Sequence, residues 1–235
     1  MSLTAKSLLS KIAGPALELI FPMSCAGCGR EGKLFCLTCL PRLPRLSSPF
    51  CELCAAPGAQ SPCHWCEERP LDIDGIRAPF LFEGPIRNAI HSFKYKGVKA
   101  AQTELGDLLS RYKASHRIPG TVIMPVPMHS RRLRDRGYNQ SSLLARRLAK
   151  ITEISFEDAL LRRIIDTPPQ VATTSRNQRR DNVQDSFRCY GDAGGLQVLL
   201  VDDVATTGST LSACAAALKD SGAASVWGLV LARET

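Results

Sequence analysis

Eight of the ten cysteines stand between Cys25 and Cys66, in four Cys-x-x-Cys pairs: Cys25/Cys28, Cys36/Cys39, Cys51/Cys54 and Cys63/Cys66. Two cysteines separated by two residues fold into a tight knuckle that aims both thiolates at one tetrahedral ion, and a second knuckle completes the coordination. The gaps of seven residues (29–35) and eight (55–62) let each half close as a miniature ribbon. Four thiolates leave no position for water, so the metal is structural, and they select Zn²⁺. Spacing leaves the pairing open: Cys25/Cys28 can close with Cys36/Cys39 or with Cys51/Cys54, over one ion or two. His64, inside the last knuckle, reads as a bystander, and Cys189 and Cys214 read as small buried hydrophobes.

Cysteine pairs bind metal where thiols stay reduced. The apolar residues before Phe21 are interrupted by Lys11, Gly14, Pro15 and Glu18, so the secretory core of roughly 7–15 apolar residues is missing. No segment approaches the ~20 apolar residues of a membrane span. The expectation is a cytoplasmic protein without a membrane span, with an amphipathic helix over residues 3–20. Hydrophobic residues at 44% and charged ones at 22% exclude a disordered chain, a collagen and a coiled coil. Thirty Lys and Arg against 22 Asp and Glu give +8, a balance that suits an anionic partner.

Three parts follow: an N-terminal amphipathic helix (1–21), a Cys-rich zinc-binding domain (22–70) and an α/β domain (71–235). In the last, Val122–Val126 and Val198–Val201 read as buried strands, Asn139–Lys150 as a helix with Leu143, Leu144, Leu148 and Ile151 on one face, Thr210–Asp220 as a helix, and Ser225–Ala232 as a strand. Such alternation implies a parallel sheet with helices on both faces.

The sharpest motif runs from Val198 to Thr210. A buried strand delivers Asp202 and Asp203 at its carboxyl end, where open parallel sheets bind ligands. Thr206, Thr207, Gly208, Ser209 and Thr210 then supply hydroxyls and backbone N–H groups at a helix N-terminus, a receptor for a phosphate monoester. Gly208 lets the backbone approach the anion. The two carboxylates accept from vicinal hydroxyls, directly or through Mg²⁺. Phosphate plus diol is a ribose 5-phosphate. Helix capping alone does not require two adjacent acids and four hydroxyls around one glycine.

This stretch resembles the phosphoribosyl-pyrophosphate signature of type I phosphoribosyltransferases. The order of motifs over residues 20–235 is similar to the ComF family: four knuckles, Phe93-Lys-Tyr-Lys-Gly97, Pro125-Val-Pro127, Arg131 to Gln140, then Asp202 to Thr210. The resemblance implies a type I phosphoribosyltransferase-like sheet preceded by a zinc-ribbon domain. It places Asp202 and Asp203 on the ribose hydroxyls and Thr206–Thr210 on the 5-phosphate. It also places Gln170, Arg176, Arg179, Arg180 and Asn182 in a second element, and Ala205 stands where many such enzymes carry a larger apolar residue. The family's link with competence implies a role in DNA uptake, with single-stranded DNA and competence helicase or recombination proteins as partners.

Arg131, Arg132, Arg134 and Arg136, between Pro127 and Gly137, read as a loop that points guanidinium forks at a diphosphate. Lys94 and Lys96 are further candidates for the diphosphate or its leaving oxygen, and 168–180 forms a basic, turn-rich lid. The enzyme so described transfers a phosphoribosyl group from phosphoribosyl pyrophosphate with Mg²⁺. The alternative is a non-catalytic adaptor for single-stranded nucleic acid whose transferase-like domain only senses a phosphoribosyl ligand or nucleotide, since phosphate contacts are blind to sequence. Phe93, Tyr95 and Tyr138 would stack bases in that case and otherwise belong to core or rim. In a third reading the knuckles only staple the fold.

Overall fold

The computed structural model describes residues 23–58, 60–95, 101–166 and 185–235. The helix expected over 3–20, Lys96 and the segment 168–180 lie outside the described residues. Contacts divide the chain into two units, Met1–Leu43 and Pro44–Thr235. The second pair of knuckles therefore counts with the α/β domain, whereas the sequence drew its boundary at residue 70.

In the first unit the chain forms two knuckles and a 3-10 turn over Leu40–Arg42, begun by Pro41 near its N-terminus. In the second, a short helix α1 (His64–Glu68) is followed by β1 (Gly75–Arg77) and β2 (Phe80–Leu81), helices α2 (Gly84–Tyr95) and α3 (Ala101–Ser115), and β3 (Val122–Pro125). Next come α4 (Ser130–Arg136), α5 (Gln140–Thr152), β4 (Ser155–Phe156), β5 (Leu161–Arg163), β6 (Phe187–Cys189), β7 (Gln197–Ala205), α6 (Ser209–Lys219) and β8 (Ser225–Arg233).

The main sheet runs β1-β8-β7-β3-β4, with β2 also on β8, and every pairing in it is parallel. Val198, Leu199, Leu200 and Val201 are all fully buried, as a strand covered on both faces requires. Alternate residues face opposite sides. Val198 and Leu200 join Val122, Met124, Val226 and Val230 in one core with Leu211, Cys214, Ala215 and Leu218 of α6. Leu199 and Val201 face the other side, where α3 and α5 pack on each other and α5 lies on β3 and β7. The antiparallel pair β5–β6 packs on α6.

Three expectations are corrected in detail. The buried stripe of α5 is Leu144, Ala145, Leu148 and Ala149, while Leu143 is half-buried and Ile151 exposed. The basic run at 131–136 is not a loop. His129 accepts the Arg131 N–H at 3.4 Å as an N-cap, and Gly137, at φ 78°, ends a seven-residue helix, so the prolines stop just short of it. Cys214 is fully buried, but Cys189 is only half-buried.

The second ribbon is joined to the sheet by polar bonds. Ile76 N–H donates to Leu53 O at 3.0 Å. The Arg77 guanidinium donates to the Glu52 backbone carbonyl at 2.7 Å and to the Glu52 carboxylate. Arg233, 1% exposed, donates from Nε to Cys54 O at 2.7 Å.

Candidate functional site

Each knuckle closes by the same bond. Gly29, Leu40, Ala55 and Glu67 donate backbone N–H groups to the carbonyls of Cys25, Cys36, Cys51 and Cys63, at 2.8, 2.9, 2.7 and 3.0 Å. In both ribbons a backbone N–H also reaches back to the first sulfur, Cys36 to Cys25 Sγ and Cys63 to Cys51 Sγ, each at 3.4 Å. Such donors favour the thiolate over the thiol. The sulfurs gather as Cys25, Cys28, Cys36 and Cys39, and as Cys51, Cys54, Cys63 and Cys66, each set within 4.8 Å. Sequential pairing and two sites are therefore the arrangement present. Cys28 and Cys36 lie 3.7 Å apart, Cys54 and Cys63 3.6 Å, Cys51 and Cys66 3.9 Å. Tetrahedral Zn–S bonds of ~2.3 Å demand about 3.8 Å between sulfurs, so the donors fit zinc. His64 stays outside, its Nε2 3.3 Å from Glu68.

The second site lies at the carboxyl end of β7. The strand runs past both acids to Ala205, further than the sequence reading, and α6 begins at Ser209. Asp202 is half-buried and accepts the Ser141 hydroxyl at 2.6 Å from the first turn of α5 and the Asp203 N–H at 2.9 Å. Asp203, 3% exposed, has Lys94 Nζ 2.9 Å from Oδ1, whereas its Oδ2 is buried without a hydrogen-bond partner among the described residues. Burial, then the charge of Asp203, pushes the Asp202 carboxyl up to about 7, against the opposing pull of Ser141 and Lys94. Thr207 Oγ1 and Ser209 Oγ lie 2.5 Å apart, and Thr207 Oγ1 accepts the Ser209 N–H at 3.3 Å. Thr206 and Thr210 are half-buried at either end of this turn.

Gly208 has a role different from the one expected. At φ 80° it occupies the left-handed region, and a Cβ there would meet Ile76 Cδ1 at 2.9 Å and Leu71 Cδ1 at 3.2 Å. Its missing side chain makes room for the core below the loop, not for an anion above it.

The basic residues divide. Lys94 is engaged with Asp203. Arg136 donates to Gln140 Oε1 at 2.8 Å. Arg131 and Arg132 turn toward Asp166, at 3.9 and 3.5 Å, where His129 also lies at 3.6 Å. Arg134 is exposed. Phe93 is fully buried and accepts the Tyr138 hydroxyl at its carbonyl, so these two rings belong to the core. Ser141, Asp166 and Arg163 escaped the sequence reading. Burial, then Arg132, lowers the Arg163 guanidinium below its ordinary value, and Asp166 and Asp202 oppose the shift. Only Ser141 had a signal, its place one residue beyond the Arg131–Gln140 run.

The model for the Double zinc ribbon domain matches residues 16–69. The chain is 30% identical over 184 residues to the DNA utilization protein YhgH of Salmonella typhimurium, covering 75% of this chain and 80% of that protein. Competence protein F of Haemophilus influenzae is 28% identical over 221 residues, covering 88% and 90%. Among solved structures, the glutamine phosphoribosylpyrophosphate amidotransferase from B. subtilis aligns with 57% of this chain at 22% identity and a TM-score of 0.39. This chain spans about a quarter of that one, 26% of its length. No helix among the described residues is long and apolar enough to cross a membrane.

Proposed function

The chain belongs to the ComF family, and on that premise we propose that it binds phosphoribosyl pyrophosphate with Mg²⁺ through Asp202, Asp203 and the Thr206–Thr210 turn, in the service of DNA uptake. Relatives named for competence and for DNA utilization support the process. One observation carries the ligand: the half-partnered carboxylate of Asp203, whose Oδ2 is buried with no donor among the described residues. An acceptor in that state costs roughly 1–3 kcal/mol until something donates to it, and a sugar hydroxyl or a hydrated cation would do so. Asp202, held by Ser141, is its neighbour, and the hydroxyls of Thr207 and Ser209 stand at the helix N-terminus that follows. Mg²⁺ would supply charge to the diphosphate, with Asp202 and Asp203 the residues to hold it or its water.

The reaction class that such a ligand serves is pentosyl transfer. An acceptor lone pair forms the bond to the anomeric carbon while the bond from that carbon to the pyrophosphate oxygen breaks, pyrophosphate leaving with the electron pair. The chain contributes position and electrostatics. The test is calorimetric titration of phosphoribosyl pyrophosphate and Mg²⁺ into zinc-loaded protein and into Asp202→Asn/Asp203→Asn. A loss of about tenfold, or 1.4 kcal/mol, supports the site; no heat at millimolar ligand in the wild type refutes it.

The second reading, a surface for single-stranded nucleic acid, draws on a different face. Arg162 and Arg188 sit directly opposite across β5–β6, both exposed, with Tyr190 under the Arg162 guanidinium at 5.0 Å. Like charges opposed across an antiparallel pair are unfavourable without an anion between them. A salt-dependent shift of labelled single-stranded DNA, lost in Arg162→Ala/Arg188→Ala, would favour it.

A further inference from the structure

Arg233 heads the fully buried side chains of the second unit, and no carboxylate pairs with it among the described residues. Its donors go to three backbone carbonyls: Nε to Cys54 at 2.7 Å, one terminal nitrogen to Ala205 at 3.3 Å and to Glu234. A buried cation without a counter-charge is among the more unfavourable arrangements a core can hold. The counter-charge is next door. Four thiolates around a divalent ion carry a net charge of −2, and Cys54 belongs to that set.

The other end of the side chain touches the candidate site. Ala205 is the last residue of β7, and Thr206 follows it. Glu234 N–H donates to the same Ala205 carbonyl at 2.9 Å, so the strand end is clamped from β8. A second route runs in parallel: Leu53, inside the same knuckle, accepts from Ile76, whose side chain packs where the Cβ of Gly208 would be. The first ribbon makes a unit of its own.

We propose that Arg233 is a positioning residue that ties the metal held by Cys51, Cys54, Cys63 and Cys66 to the turn at Thr206–Ser209, so that loading of this ribbon sets the shape of the turn. The consequence for ligand affinity rests on the sugar-phosphate reading above; the mechanical link does not.

Hydrogen exchange of peptides spanning 204–212 in the full chain tests the link, with zinc content measured by release to a chromogenic chelator and ribose 5-phosphate as the binding probe. Arg233→Met and Cys63→Ser/Cys66→Ser should each speed exchange there about tenfold, the size of losing one charge-assisted hydrogen bond. Arg233→Lys should keep the zinc and fall between. Cys36→Ser/Cys39→Ser, which empties the other ribbon, should leave these peptides unchanged. Should the second-ribbon variants or Arg233→Met not fold, Arg233→Lys decides, because it retains charge and thiolates and loses only the fork. Wild-type exchange rates in that variant, or equal acceleration on emptying the first ribbon, would overturn the proposal. A chain whose exchange responds as described but which ignores ribose 5-phosphate keeps the link and loses the ligand.

Discussion

Lys94 Nζ lies 2.9 Å from one carboxylate oxygen of Asp203 and leaves the other with no donor among the described residues. The pair joins α2 to β7 across more than a hundred residues of chain. Removing the cation alone strands a buried charge. Lys94→Met should therefore lower unfolding stability by about 3 kcal/mol, and Lys94→Met/Asp203→Asn should recover much of that loss. Urea unfolding of the two variants and of Asp203→Asn completes the cycle; additive losses would mean that the ion pair is not a unit.

The Asp202 carboxyl, raised to about 7 from 3.8, makes the fold pH-sensitive. Between those values the native state holds a proton that the unfolded chain has released. Stability thus falls as pH rises from about 4 to about 7 and levels off above. Asp202→Asn should flatten this slope and be the more stable form at pH 8 in thermal unfolding. Ser141→Ala, which deletes a bond that favours the charge, should carry the slope to higher pH.

Gly208→Ala places a methyl group against Ile76 and forces an L-residue to φ 80°. The expected cost is about 1–2 kcal/mol, from the left-handed backbone and the close contact together. The variant should unfold at lower urea than wild type. Because its Cβ faces the core, phosphate affinity measured in its folded fraction should change less than in a Thr207→Val variant.

Zinc stoichiometry separates the two quartets. Atomic emission should give two zinc ions per chain, one for Cys28→Ser and one for Cys66→Ser. Loss of the second ion should lower the melting temperature of the α/β domain, whose strands β1 and β8 bond to that knuckle, whereas a chain with both ions missing and an unchanged melting temperature would reduce the ribbons to appendages.

Local signals carried much of this architecture into the sequence. The knuckles announce themselves by spacing, and the strand through Val198–Val201 by an unbroken apolar run. Asp202 and Asp203 stand out because adjacent acids at the end of such a run have no packing reason to be there. Legibility failed where meaning depends on distant chain. Ser141 looks like any residue in a helix's first turn until Asp202, 61 positions later, accepts its hydrogen bond. Arg233 lies one residue past the strand expected over Ser225–Ala232 and drew no reading, and only the folded ribbon shows it to be enclosed. The run at 131–136 lacks an apolar stripe, so its seven-residue helix rests on caps at His129 and Gly137 that charge content hides.

The two quartets, alike in spacing, differ in shelter. In the first, Cys25 is buried, Cys28 exposed and Cys36 and Cys39 half-buried, while Cys51, Cys54, Cys63 and Cys66 are all buried. Peroxide attacks thiolates it can reach, so damage to this chain has an order: the first ribbon sheds its ion and oxidises while the second stays sealed. Peroxide titration of the zinc-loaded protein should therefore release one ion before the other, with the sheet and the Asp202–Asp203 pair retained after the first.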